Sequence, residues 1–137
     1  MEKARRARIG WGVLLVVLGG FMGTAFVDAQ GQWTAPASAK GVKNPLQKSD
    51  KVLAQAKKMF EQNCVACHGP KGLGDGPAGV ALPVKPANWT SSTVQKETDG
   101  ELFWKISEGR GPMPPWKTSL SENDRWAMVH LVRTFKK

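Results

Sequence analysis

Three stretches of the chain carry apolar residues at the three- and four-residue spacing of an amphipathic helix. Val52, Leu53, Ala56, Met59 and Phe60 share one face of a segment ending near Asn63, with Asp50 placed to cap it. Leu102, Phe103 and Ile106 mark a second helix, capped by Thr98 or Asp99 and stopped by Gly109. Trp126, Val129, Leu131, Val132 and Phe135 mark a third, opened by Ser121 and Asp124 in capping-box spacing. Between the first two lie residues 64–97, where Gly and Pro recur and neither a period of two nor one of 3.6 survives. So long a connection inside a small domain is expected only where it wraps something. Three short helices also bury too little apolar surface by themselves, which asks for a large hydrophobic object at the centre. The expected fold class is all-α, with three main helices and long loops around that object.

The pattern ahead of residue 49 is of a different kind. Lys3, Arg5, Arg6 and Arg8 precede an uncharged run over residues 9–27, and Val27-Asp28-Ala29 offers a cleavage site before Gln30. Residues 1–29 read either as a signal peptide or as an N-terminal membrane anchor, since the run is long enough to span a bilayer. Both readings export the chain beyond residue 29, and the basic residues stay on the cytoplasmic side. Residues 30–48, rich in Pro, Ala, Gly and Lys, show no apolar period and read as an extended arm or linker. A compact domain over residues 49–137 completes the expected organisation.

Composition narrows the function. The chain has 137 residues, with 20 Lys+Arg against 11 Asp+Glu, and only two cysteines, too few for a disulfide-dense secreted scaffold. Residues 1–29 hold four basic and two acidic residues, leaving 16 against 9, so the exported part is still +7. Such a balance favours an acidic partner. In an exported chain it does not by itself support a nucleic-acid partner.

Both cysteines lie in Cys64-Val65-Ala66-Cys67-His68, which is C-x-x-C-H at the end of the first helix. Each thiol can add across one vinyl group of haem, and the histidine then reaches the iron. A thioredoxin-like pair would need a βαβ setting and a zinc site a second ligand pair, and neither is present. The expected cofactor is one haem c, attached through Cys64 and Cys67 with His68 as proximal ligand. It would also be the missing centre of the fold.

Met59, Met113, Met128 and His130 are the candidates for a sixth ligand. Met59 has core periodicity, and Met128 and His130 flank the apolar face of the last helix, where partial exposure is expected. Met113 lies in Gly109-Arg110-Gly111-Pro112-Met113-Pro114-Pro115-Trp116, whose prolines limit backbone freedom around one thioether. Met113 is therefore the expected ligand, with His130 as runner-up. Trp89, Trp104 and Trp116 could pack on the haem, and Lys85, Asn88 and Arg110 could meet its propionates.

Over residues 50–136 the chain resembles a small class I, mono-haem cytochrome c of exported bacterial type. The resemblance rests on Cys64 to Gly69, on Gly-x-Met-Pro-x-Trp at 111–116 and on the flanking helices. It implies that the first and last helices cross, with Ala56 and Phe60 meeting the Trp126, Val129 and Leu131 side. It also implies a proline carbonyl that holds the proximal imidazole, for which Pro77 is the best match and Pro83 and Pro86 are also available.

A His/Met pair leaves the iron no open position, so the expected role is electron transfer, not catalysis. The expected protein carries single electrons between respiratory complexes, in the periplasm or anchored to the inner membrane facing it. Its partners would be redox proteins with acidic docking faces, with membrane contact through residues 9–27. Residues 33–45 also resemble arms of small cytochrome subunits associated with quinol-oxidising complexes such as alternative complex III, so a fixed subunit is the alternative. A gas sensor or peroxidase would follow if Met113 did not bind the iron.

Overall fold

The computed structural model describes residues 32–137, so the export or anchor reading of residues 1–29 lies outside the described residues. Among the described residues there are six α-helical segments and one 3-10 turn, and no strand. They are α1 (Ala37–Lys40), α2 (Asp50–Asn63), α3 (Val65–His68), α4 (Ser92–Lys96), α5 (Asp99–Glu108) and α6 (Glu122–Thr134), with the 3-10 turn at Trp116–Thr118. The three periodic stretches are α2, α5 and α6. Three very short helices join them, each below the length at which a 3.6-residue period can be read.

Caps set the helix starts. Ser49, one residue ahead of the expected Asp50, accepts the Val52 N–H at 3.3 Å, which places Asp50 in the first turn, where a carboxylate meets the positive end of the helix. Thr98 and Glu101 form a reciprocal box: Thr98 Oγ1 accepts from the Glu101 N–H and Glu101 Oε2 accepts from the Thr98 N–H at 2.7 Å. That Thr98 N–H holds the Glu101 carboxyl below the usual carboxylate range. At α6, Ser121 Oγ accepts the Asp124 N–H at 3.2 Å, and Asp124 Oδ1 accepts from Gln55 of α2 at 2.7 Å.

The core lies where α2 packs across α6. Ala56 and Phe60 are buried in one cluster with Trp126, Val129 and Leu131, as the family resemblance implies. A small residue at 56 lets the two backbones approach. α5 joins through Phe103, whose ring stacks on Trp126 at 3.8 Å and 12°. Arg133 closes the far end: its guanidinium donates to Asp99 Oδ1 at 2.8 Å and to the Gln95 and Glu97 carbonyls, tying α6 to the α4–α5 junction. Met128, expected to be partly exposed, is 2% exposed and belongs to the core, because α6 is covered on both flanks.

Residues 33–48, read from sequence as an arm, lie along the helices. The compact unit extends from Trp33 to Lys137. Ala35 and Ala39 are buried, Asn44 Nδ2 donates to the Trp126 carbonyl at 3.1 Å, and His130 Nε2 lies 2.6 Å from the Leu46 carbonyl. Gly100 permits the approach: a Cβ there would fall onto the Ala39 and Val42 carbonyls. Among the described residues no helix is long and apolar enough to cross a membrane.

Candidate cofactor site

Cys64 is the hinge between two helices. Its N–H closes α2 on the Phe60 carbonyl at 2.9 Å, and its own carbonyl accepts from Cys67 at 3.1 Å and His68 at 2.8 Å to open α3. Residues three and four apart on a helical turn share a face, so both thiols and the imidazole are presented together. The two cysteines are free and half-buried. Burial first, and Cys67 beside it, push the Cys64 thiol up to about 11, so at neutral pH Cys64 is protonated.

His68 is 9% exposed. Its Nδ1 lies 3.3 Å from the Ala87 carbonyl, and its ring lies 4.5 Å from that of Trp89 between centroids. Burial lowers the imidazole pKa, and the Ala87 carbonyl partly offsets this. A carbonyl can only accept, so the neutral ring keeps its proton on Nδ1 and its lone pair on Nε2, the form that ligates a metal.

That acceptor corrects the expectation placed on Pro77. Pro77 is exposed, because the loop doubles back along the carbonyls of α3: Gly74 N–H donates to His68, Gly76 to Cys67 and Ala78 to Ala66, at 2.9 to 3.1 Å. These bonds satisfy the orphaned end of the helix and leave Pro77 at the outer edge of the turn. The loop then returns to His68 through Pro86-Ala87. Gly74, at φ +79°, lies so close to the Pro86 carbonyl that a Cβ would overlap it. Pro86 restricts the backbone just ahead of the acceptor.

Trp89 is held next. Its N–H donates to the Gly72 carbonyl at 2.7 Å and its carbonyl accepts from Gln95 at 2.6 Å, while its ring packs on Phe60 and Phe135. This places Trp89 against the imidazole as well as in the core.

Met113 is half-buried and exchanges two backbone hydrogen bonds with Arg110, at 3.0 and 2.9 Å, around Gly111 and Pro112. Pro114 and Pro115 lead directly into the 3-10 turn, where Trp116 is half-buried. The thioether therefore sits on a short, closed turn. The other candidates are engaged elsewhere: Met128 is in the core, and His130 Nε2 faces the Leu46 carbonyl. Met59 packs at the edge of the core. Trp104 meets Trp33 at 6.4 Å, Lys85 Nζ meets the Val80 carbonyl, and Asn88 Oδ1 accepts from Thr90 at 2.9 Å.

The residues fit a covalently held iron macrocycle. Among the described residues no three His, Cys, Asp or Glu side chains converge to hold a bare metal ion. Two neighbouring half-buried thiols and an oriented neutral imidazole are instead the groups that a covalently attached haem uses. Sequence reasoning missed Ala87, whose contribution is a backbone carbonyl with no side-chain signature. It also missed that the arm packs on the helices, for which a tryptophan at 33 amid Pro and Ala was the available signal.

The family described as cytochrome C oxidase, cbb3-type, subunit III matches residues 51–132. The subunit CcoP of the cbb3-type cytochrome c oxidase of Azospirillum sp. (strain B510) is 37% identical over 75 residues, 51% of this chain and 24% of its own length. Cytochrome c6 of Cladophora glomerata is 30% identical over 86 residues, 59% of this chain and 86% of that protein. Among solved structures, the Kuenenia stuttgartiensis reducing HAO-like protein complex Kustc0457/Kustc0458 matches with a TM-score of 0.59 at 27% identity, over 71% of this chain and 48% of that one. The KustC0563 c-type cytochrome matches at 0.52 and 30%, over 60% of this chain and 98% of that one. This chain thus spans about a quarter of CcoP and about half of the Kuenenia complex chain. A helical fold with C-x-x-C-H at the junction of two helices, matched to this family over residues 51–132, makes the chain a c-type cytochrome that belongs to the cytochrome C oxidase, cbb3-type, subunit III family.

Proposed function

We propose that this chain is a mono-haem electron carrier of an exported respiratory system, with haem c held through Cys64 and Cys67 and its iron between His68 Nε2 and the Met113 thioether. The observation that carries this reading is the single turn that presents both thiols and an imidazole whose Nδ1 is committed to Ala87 at 3.3 Å. Haem in such a site supplies a one-electron ferric/ferrous couple. The chain's own residues do the rest. Ala87 and Trp89 fix the ring of His68, which keeps its position as the charge on the iron changes. The Met113 thioether would be the second protein ligand to the iron, leaving no place for peroxide or a gas and favouring the ferrous state. Trp89 and Trp116 line the cofactor. Residues 1–29 deliver the domain to the periplasm or hold it at the inner membrane facing that side.

Met113→Ala should abolish the thioether-to-iron absorption of the ferric protein and open the iron to carbon monoxide and imidazole. A ferric spectrum unchanged by the substitution overturns the ligand assignment.

An acidic-faced redox protein is the proposed partner. Lys105 and Lys117 are paired with Glu97 and Glu108, whereas Lys57, Lys58, Lys71 and Lys96 are exposed around the domain. Their field should steer association, so the second-order rate of electron exchange with such a partner should fall about tenfold between low and physiological ionic strength. A flat response removes steering from the reading.

A further inference from the structure

The arm ends on the loop that carries Met113. Trp33 lies 6.4 Å from Trp104 between ring centroids, and its ring receives two cations, Lys105 Nζ at 5.5 Å and Arg110 Cζ at 5.8 Å. An indole face carries the negative end of a quadrupole and can hold both. Arg110 is also the residue that pairs with Met113 through two backbone hydrogen bonds. The tip of that turn is open, since Gly111 is exposed and a Cβ there would meet nothing within 4 Å. At its base the backbone of Met113 and Pro114 packs on Gly109, and the Trp33 ring meets Arg110.

We propose that Trp33 is a positioning residue for Met113: its ring holds the Arg110 guanidinium and, through Arg110, the turn that presents the thioether. The proposal rests on the reading of Met113 as an iron ligand. A thioether is a neutral ligand on a turn that can open, so an outside ligand competes with it in proportion to the fraction of time the turn is open. Trp33 sets that fraction from the arm. The arm is a firm base for it, with Ala35 and Ala39 buried, α1 packed on α5 and Asn44 bonded to α6. The segment that leads out of residues 1–29 therefore also reaches the redox centre.

The test uses the full-length, haem-loaded protein and its Trp33→Ala and Trp33→Phe variants. Two readouts are compared: the affinity of the ferric form for imidazole, and the rate of tryptic cleavage after Arg110. A contact of this class is worth a factor of about five, so Trp33→Ala should bind imidazole about five times more tightly and be cut after Arg110 faster by a similar factor. Trp33→Phe, which keeps a ring face, should recover most of both. Imidazole affinity and cleavage both unchanged, with only the thermal midpoint lowered, would overturn the proposal, as would a Phe variant indistinguishable from Ala. If Met113→Ala leaves the ferric spectrum unchanged, the ligand assignment has failed, and cleavage after Arg110 still decides whether Trp33 holds the turn.

Discussion

Replacing Cys64 and Cys67 together by alanine should yield a chain with no haem retained on a denaturing gel and no cooperative unfolding transition. The first loss follows from the chemistry: the two thiols are the only cysteines in the chain, and a thioether bond is what survives denaturation. The second follows from the size of the core. The buried apolar residues come mainly from α2, α5 and α6, and the long segment between α2 and α4 adds little besides Trp89. Domains of this size are marginal without a staple or a cofactor. The loop around residues 69–89 is held by hydrogen bonds to α3, so its order depends on the same turn that carries the thiols. Haem staining of the gel and a far-ultraviolet melt would check both. A variant that keeps stained haem, or melts at the wild-type midpoint, would remove the covalent cofactor from its structural role.

Trp126→Ala should cost about 3–5 kcal/mol, the usual range for removing a large aromatic side chain from a core. Trp126 is 2% exposed, stacks on Phe103 at 3.8 Å, and its carbonyl accepts the Asn44 amide. The substitution thus removes the aromatic stack between α5 and α6. For a domain of this size the thermal midpoint should fall by at least about 12 °C. Lys57→Ala, at an exposed position on α2, should stay within about 0.5 kcal/mol. A loss below about 1 kcal/mol at Trp126 would mean that the α5–α6 junction is not the centre of the core. Because α5 runs directly into the Met113 turn, spectral changes should accompany the loss of stability.

Much of the fold was legible because its main helices obey local rules. Leu102 and Ile106, or Val129 and Val132, declare a face by spacing alone, and Ser49, Thr98 and Ser121 act as caps through side chains three residues from their partners. The one-residue difference at the start of α2 is of the same local kind: Ser49 and Asp50 are both good caps, and the pattern does not rank them. α4 escaped for lack of length, since five residues make little more than one turn. Residues 33–48 escaped because small side chains and backbone carbonyls hold them to α5 and α6, and neither leaves a period.

The candidate site divides along the same line. Cys64, Cys67 and His68 were legible because one helical turn brings them together whatever the rest of the chain does. The closed turn around Met113 was legible because its prolines constrain it locally. Pro77 was misjudged because the acceptor for an imidazole nitrogen is a backbone carbonyl, which every residue possesses.

The sequence by itself determined the thiol and imidazole chemistry of one turn and the three main helices, all of them properties of residues within a turn or two of one another. Only the tertiary structure decided that Ala87 holds His68, that Met128 is core, and that Trp33 lies against Arg110. The first and last of these contacts join residues 19 or more positions apart. They depend on how the loop and the arm pack, and packing of that range is written in no local pattern.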